Sequence, residues 1–182
     1  MSKKIAAGAQ AIVLDVKVGL GAFMKTLPEA EQLARLMVEI ARKTGRRAVA
    51  YLSDMNQPLG VAVGNALELR EAMDTLQNRG PKDFENHCIE LASRMLVLGE
   101  QSPAMDAAKP VVEQTLRSGK AWQKFLAWIE AQGGDLNVVL NPQKLPTSRL
   151  HKEIGAPASG YIHQIHAEKV GLAAVYLGAG RA

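Results

Sequence analysis

Two glycine-bearing stretches, Gly19-Leu-Gly-Ala-Phe-Met24 and Ser53-Asp-Met-Asn-Gln-Pro-Leu-Gly60, are the parts of this sequence best suited to holding a ligand. Glycine lets a backbone approach a bound group, and it also simply permits tight turns. Gly19 and Gly21 lack the third glycine, the immediate helix start and the later acid of a dinucleotide fingerprint, so that cofactor pattern is not present. His151, His163 and His166 invite a metal, but the last two stand three apart on an expected strand and would face opposite sides, which argues against zinc. His87 and Cys88 are adjacent on an expected helix and point in different directions. They make a poor nucleophile and base pair, and both read as core or surface residues.

The elements that must position these loops follow from periodicity. Residues 11–18 form an apolar, β-branched run ended by Gly19 and Gly21, which predicts a strand covered on both faces. Thr26-Leu-Pro-Glu29 is a capping-box pattern with proline in the first turn, and Leu33, Leu36, Met37, Ile40 and Ala41 then recur at helical spacing before Gly45. Residues 47–53 give a second strand. Strand, helix and strand make a right-handed crossover with parallel strands, and such units carry binding loops at the strands' carboxyl ends. The two glycine stretches therefore lie side by side. Further helices are expected after Gly60, ending at Gly80-Pro81, and over residues 83–98, 104–118 and 119–132. In the last of these Trp122, Phe125, Leu126 and Ile129 fit a core-facing stripe. From Asn141-Pro142 to Pro146 the pattern becomes linker-like. Short strands are then expected over 149–154 and 160–166, with a helix over 167–177.

Composition narrows the class. The chain has 182 residues, 47% hydrophobic and 22% charged, enough for a substantial core in one α/β domain with an appendage. The net charge is +4 and the pI about 9.3, but the basic residues are scattered among acids and aromatics make up only 4%, so nucleic acid is disfavoured while small anions fit. Cys88 is the sole cysteine, which excludes an internal disulfide and a thiolate metal cage. With no apolar signal core and no long apolar run, the sequence-level expectation is a cytoplasmic protein with no membrane partner.

Several motifs, in order along nearly the whole chain, carry a family resemblance: Lys3-Lys4-Ile5-Ala6, Leu14-Asp-Val-Lys-Val-Gly-Leu-Gly-Ala-Phe-Met-Lys25, Asp54-Met-Asn-Gln-Pro-Leu-Gly60, Gly64-Asn65-Ala66 with Glu68 and Glu71, Ser159-Gly-Tyr161 and Gly171-Leu-Ala-Ala174. Together they resemble the pyrimidine-nucleoside phosphorylases, including thymidine phosphorylase. The resemblance implies reversible phosphorolysis of uridine, thymidine or deoxyuridine to the free base and a pentose 1-phosphate, in a homodimer. It also implies an α/β fold, a parallel or mixed sheet flanked by helices, with residues 1–145 as the nucleoside-binding domain and 146–182 as the start of a carboxyl-terminal α+β domain. The family's phosphate loop, introduced by Lys-His-Ser, and a pyrimidine-contacting arginine lie upstream of the matching region. The expectation is a central fragment that by itself performs no phosphorolysis.

By the same resemblance, Lys3 matches the lysine that contacts the pyrimidine, and Phe23 an aromatic residue of the base pocket. No cofactor is required for the chemistry. Some family members hold K+ or Ca2+ between domains, and the matching ligands are the carbonyls of Leu59 and Ala62 and the carboxylate of Glu71, hard oxygen donors suited to such ions. Two other readings stand beside this one. The chain could be a non-catalytic, self-associating domain. It could also be a relative of anthranilate phosphoribosyltransferase, which resembles the family in fold but normally needs paired acidic motifs that this sequence lacks.

Overall fold

The structure, a computed structural model, describes residues 1–180. After a short helix α1 (Ser2–Ala6), β1 (Ala11–Val18) and β2 (Arg47–Asp54) run parallel, in register from Ala11 opposite Arg47 to Val18 opposite Asp54. Parallel strands cannot be joined by a hairpin, and α2 (Leu27–Lys43) makes the crossover. Its start is set by the capping box: the Glu29 carboxylate accepts the backbone N–H of Thr26 at 3.0 Å and of Lys25 at 3.1 Å. Pro28 then occupies a first-turn position whose N–H would have no partner.

Alternation along β1 places the core. Ile12, Leu14 and Val16 are buried and pack on Ala30 and Ala34 of α2, with Leu33, Met37 and Leu52 around them. The small alanines let the helix lie close to the sheet. The opposite face of β1 presents Val13, Asp15 and Lys17, and α4 (Lys82–Leu98) covers it. The strand is thus flanked on both sides, as its apolar run predicts, but by two chemically different faces.

The helices that follow in the chain, apart from the last, extend from the α4 side. Between β2 and α4 lies α3 (Asn65–Leu76), which buries Met73. Beyond α4, α5 (Met105–Arg117) packs on it and α6 (Lys120–Ala131) packs on α5. A short α7 (Leu136–Leu140) and a 3-10 turn (Pro142–Lys144) follow, the turn held by the Arg70 guanidinium, which donates to the Pro142 carbonyl at 2.7 Å. The last helix is α8 (Ala167–Tyr176).

One expectation is corrected. Residues 149–154 and 160–166 form no strands; the chain from 145 to 166 is irregular, and Leu150, Ile154 and Tyr161 are exposed. Their apolar residues suit a half-buried strand, but a strand needs a neighbour for its backbone groups. Among the described residues the sheet has only β1 and β2, and neither pairs with this segment.

Candidate active site at the strand ends

The loops after β1 and β2 are interlocked. Met55 N–H donates to the Val18 carbonyl at 2.7 Å, and Gly21 N–H returns a bond to the Met55 carbonyl at 2.8 Å. Asn56 joins the two loops by accepting Leu20 N–H on Oδ1 at 3.1 Å. Gly19 has φ +123°, and a Cβ there would sit 2.6 Å from Asn56 Oδ1, so this position needs glycine for both conformation and space.

A cavity of about 650 Å³ lies beside the first loop and β1, lined by Lys4, Lys17, Phe23, Leu33, Met37 and Glu168 among others. Phe23 is fully exposed, its ring free to present a face to a flat ligand. Lys3 also lies exposed on α1, one residue before the lysine that borders the cavity. The structure therefore brings Lys4, rather than Lys3, to the same cavity as Phe23.

The second loop is fastened by carboxylates. Asp83 accepts Gly60 N–H at 3.0 Å, Glu71 Oε1 accepts Val61 and Ala62 N–H at 2.8 and 3.0 Å, and Glu68 accepts Gly64 N–H at 2.9 Å. Gly60, at φ +73°, passes so close to the Glu71 carboxylate that a Cβ would collide with it. The three positions matched to a cation site, Leu59, Ala62 and Glu71, thus belong to one small structural unit. Among the described residues no group of three or more His, Cys, Asp or Glu side chains could hold a metal, so a cation here would depend on Glu71 and backbone carbonyls.

A further cluster joins residues that are far apart in the sequence. On the α4-facing side of β1, the Asp15 carboxylate meets Lys17 Nζ at 2.7 Å, accepts the Ser53 hydroxyl at 2.5 Å and meets His87 Nε2 at 2.7 Å. The close Asp15 contact requires the proton on Nε2, so Lys17 Nζ, 3.2 Å from that nitrogen, directs its hydrogens to Asp15 instead. Burial pushes the Asp15 carboxyl up, but the hydrogen bonds from Lys17, Ser53 and His87 outweigh it and hold the group below the usual carboxylate range. Lys17, Ser53 and His87 border a second cavity of about 710 Å³, which Asp83 and Lys109 also line. The sequence signal was a pair of charges at Asp15 and Lys17, two apart and therefore on one face of an otherwise apolar strand. Desolvation pushes the Cys88 thiol up, and His151 and His163 lie exposed in the irregular segment.

Comparison with known proteins places this geometry in a family. Over all 182 residues the chain is 51% identical to pyrimidine-nucleoside phosphorylase of Geobacillus stearothermophilus and 48% identical to that of Bacillus subtilis (strain 168), covering 42% of each relative. The Staphylococcus epidermidis (strain ATCC 12228 / FDA PCI 1200) protein of the same name is 51% identical over 181 residues, with the same coverage. The chain spans about two-fifths of the length of these relatives. Residues 1–122, which hold both strands, their loops and the helices on either face, match the glycosyl transferase family, a/b domain, and the chain belongs to that family.

Proposed function

We propose that this chain supplies the strand-end half of a pyrimidine-nucleoside phosphorylase site. The observation that carries the reading is near 50% identity along the entire chain to proteins of that name, combined with a cavity that joins a lysine to an exposed aromatic ring. In the reaction a phosphate oxygen bonds to C1′ of the pentose as the bond from C1′ to the base nitrogen breaks, and the bonding electron pair leaves with the pyrimidine. Negative charge then spreads onto the base carbonyls. An ammonium group held beside them stabilises that charge most where it is greatest, in the transition state. Lys3 is the residue proposed for this role on the family resemblance alone, since Lys4 is the lysine that borders the cavity, with Phe23 packing on the base. The Leu59 and Ala62 carbonyls and the Glu71 carboxylate are proposed to hold K+ or Ca2+, which would brace the second loop rather than enter the chemistry. The loop N–H groups of Val61 and Ala62 already occupy Glu71 Oε1, so a cation would be held by the other carboxylate oxygen.

The test is a chimera in which this chain replaces the matching 42% of the Geobacillus stearothermophilus relative. Incubated with uridine or thymidine and phosphate, it is expected to release free uracil or thymine, and Lys3→Ala to lower turnover about a hundredfold. A folded chimera with no base release would count against the reading. Turnover near the parent value in Lys3→Ala, with a large loss in Lys4→Ala, would transfer the role to the lysine that borders the cavity.

A further inference from the structure

We propose that residues 166–180 act as a strap that holds the two strand-end loops in place, so that release of α8 loosens both loops and opens the cavity beside β1. Three contacts carry this. At its start, Ala167 N–H donates to the Asn56 carbonyl at 2.9 Å, and at its end the Ala179 carbonyl accepts Asn65 N–H at 2.7 Å. The strap therefore fastens both ends of the loop that runs from Asn56 to Asn65, including Leu59 and Ala62. The first loop is held by the same turn of α8. A Cβ on Gly21 would lie 2.6 Å from that of Ala167, so the helix start sits directly on this glycine, and Glu168 pairs with Lys25 at 3.5 Å while forming one wall of the cavity. Lys25 Nζ also donates to the Leu20 carbonyl at 2.9 Å, which extends the tie into the loop itself.

The strap is fastened at points rather than buried. Ala167 is the one buried residue of α8, while Leu172, Tyr176 and Leu177 are exposed. His166, at the helix start, has a buried Nδ1 with no hydrogen-bond partner. Segments with few apolar contacts open at lower free energy than the core, and such segments supply the moving parts of binding sites. A ligand that needs the loops in this arrangement would favour the docked strap, and a docked strap would favour the ligand, by the same factor in each direction.

Ala167→Pro tests the proposal on the full chain. Proline is well tolerated in the first turn of a helix, so α8 can persist, but it deletes the N–H that binds Asn56 and crowds Gly21. Amide hydrogen exchange is followed by NMR at Leu20, Gly21, Val61 and Ala62, with the amides of α2 as reference. The expected result is exchange about tenfold faster at the four loop amides with α2 unchanged. Unchanged loop amides would overturn the proposal. If α2 also loses protection the variant has unfolded globally, and Ala167→Leu, which keeps the N–H but cannot fit against Gly21, is read at the same amides with the same two outcomes.

Discussion

The two faces of the β1 strand are held by different forces. Toward α2, Ile12, Leu14 and Val16 meet alanines, and the contact is stabilised by removing apolar surface from water, a force without direction. Toward α4, the strand turns a carboxylate and an ammonium to a hydroxyl from β2 and an imidazole from α4, and each contact depends on distance and angle. The polar face ties β1 to β2 and to α4 just before the strands end in the candidate site: Lys17 and Ser53, opposite each other in the sheet, stand one position before the last pair, Val18 and Asp54. A register shift of one residue would carry Asp15 to the apolar side.

The largest effect expected from this comparison is on the apolar face. Leu14→Ala should lower the free energy of unfolding by about 3 kcal/mol, since it removes a buried side chain from a strand whose neighbours cannot easily collapse onto the gap. Urea unfolding monitored by circular dichroism measures this. A loss below about 1 kcal/mol would mean the α2 side is not the packed core.

That apolar face was legible in the sequence, and the polar one was not, for a physical reason. Burial on one side of a strand leaves a trace in the residue order itself, so residues 11–18 and the recurrence of Leu33 and Met37 sufficed to place β1, α2 and the crossover. The side-by-side placement of the two strand-end loops followed from the same crossover, whereas the hydrogen bonds that interlock them did not. The ionic cluster joins Asp15 to Ser53 and His87, residues separated by 38 and 72 positions, and no local pattern links them. In the sequence, His87 has only Cys88 beside it as a possible partner. The segment 149–166 failed in the opposite way: its local pattern resembles strands, but the pairing partner that decides the matter is not supplied by the described residues. Among the residues matched by family resemblance, Phe23 has a clear structural setting, whereas the setting of Lys3 had no signal that distinguished it from Lys4.

The second effect separates the faces by pH. Because the Asp15 carboxyl is held below the usual range in the folded protein, its contribution is fully present above the unfolded value of about 4 and is lost as pH falls through the folded value. Asp15→Asn should cost about 2 kcal/mol near neutral pH, where it replaces the charged acceptor of three donors. The gap between parent and variant should then narrow steadily below about pH 4, whereas the gap produced by Leu14→Ala should follow no such course. Thermal melts at a series of pH values compare them. A gap between parent and Asp15→Asn that stays constant down to about pH 2 would show that the Asp15 charge does not support the α4 face.

The smallest effect sharpens the comparison further, because it asks whether the polar face acts as a unit. Ser53 donates to Asp15 Oδ1, and the other carboxylate oxygen serves Lys17 and His87. Ser53→Ala alone should cost about 1 kcal/mol, the net worth of one hydrogen bond plus some penalty for the acceptor left behind. Combined with Asp15→Asn it should cost less than the sum of the two, with a coupling of about 0.5–1 kcal/mol, since each change removes part of the same network. Leu14 projects from the other face and shares no hydrogen-bond partner with Ser53, so Leu14→Ala and Ser53→Ala should add to within about 0.5 kcal/mol. Urea unfolding of the parent, the singles and both double variants decides the point. Full additivity of Ser53→Ala with Asp15→Asn would reduce the cluster to independent contacts, and coupling of Leu14 to Ser53 as large as that of Asp15 to Ser53 would mean that the faces communicate through the sheet rather than acting as two separate fastenings.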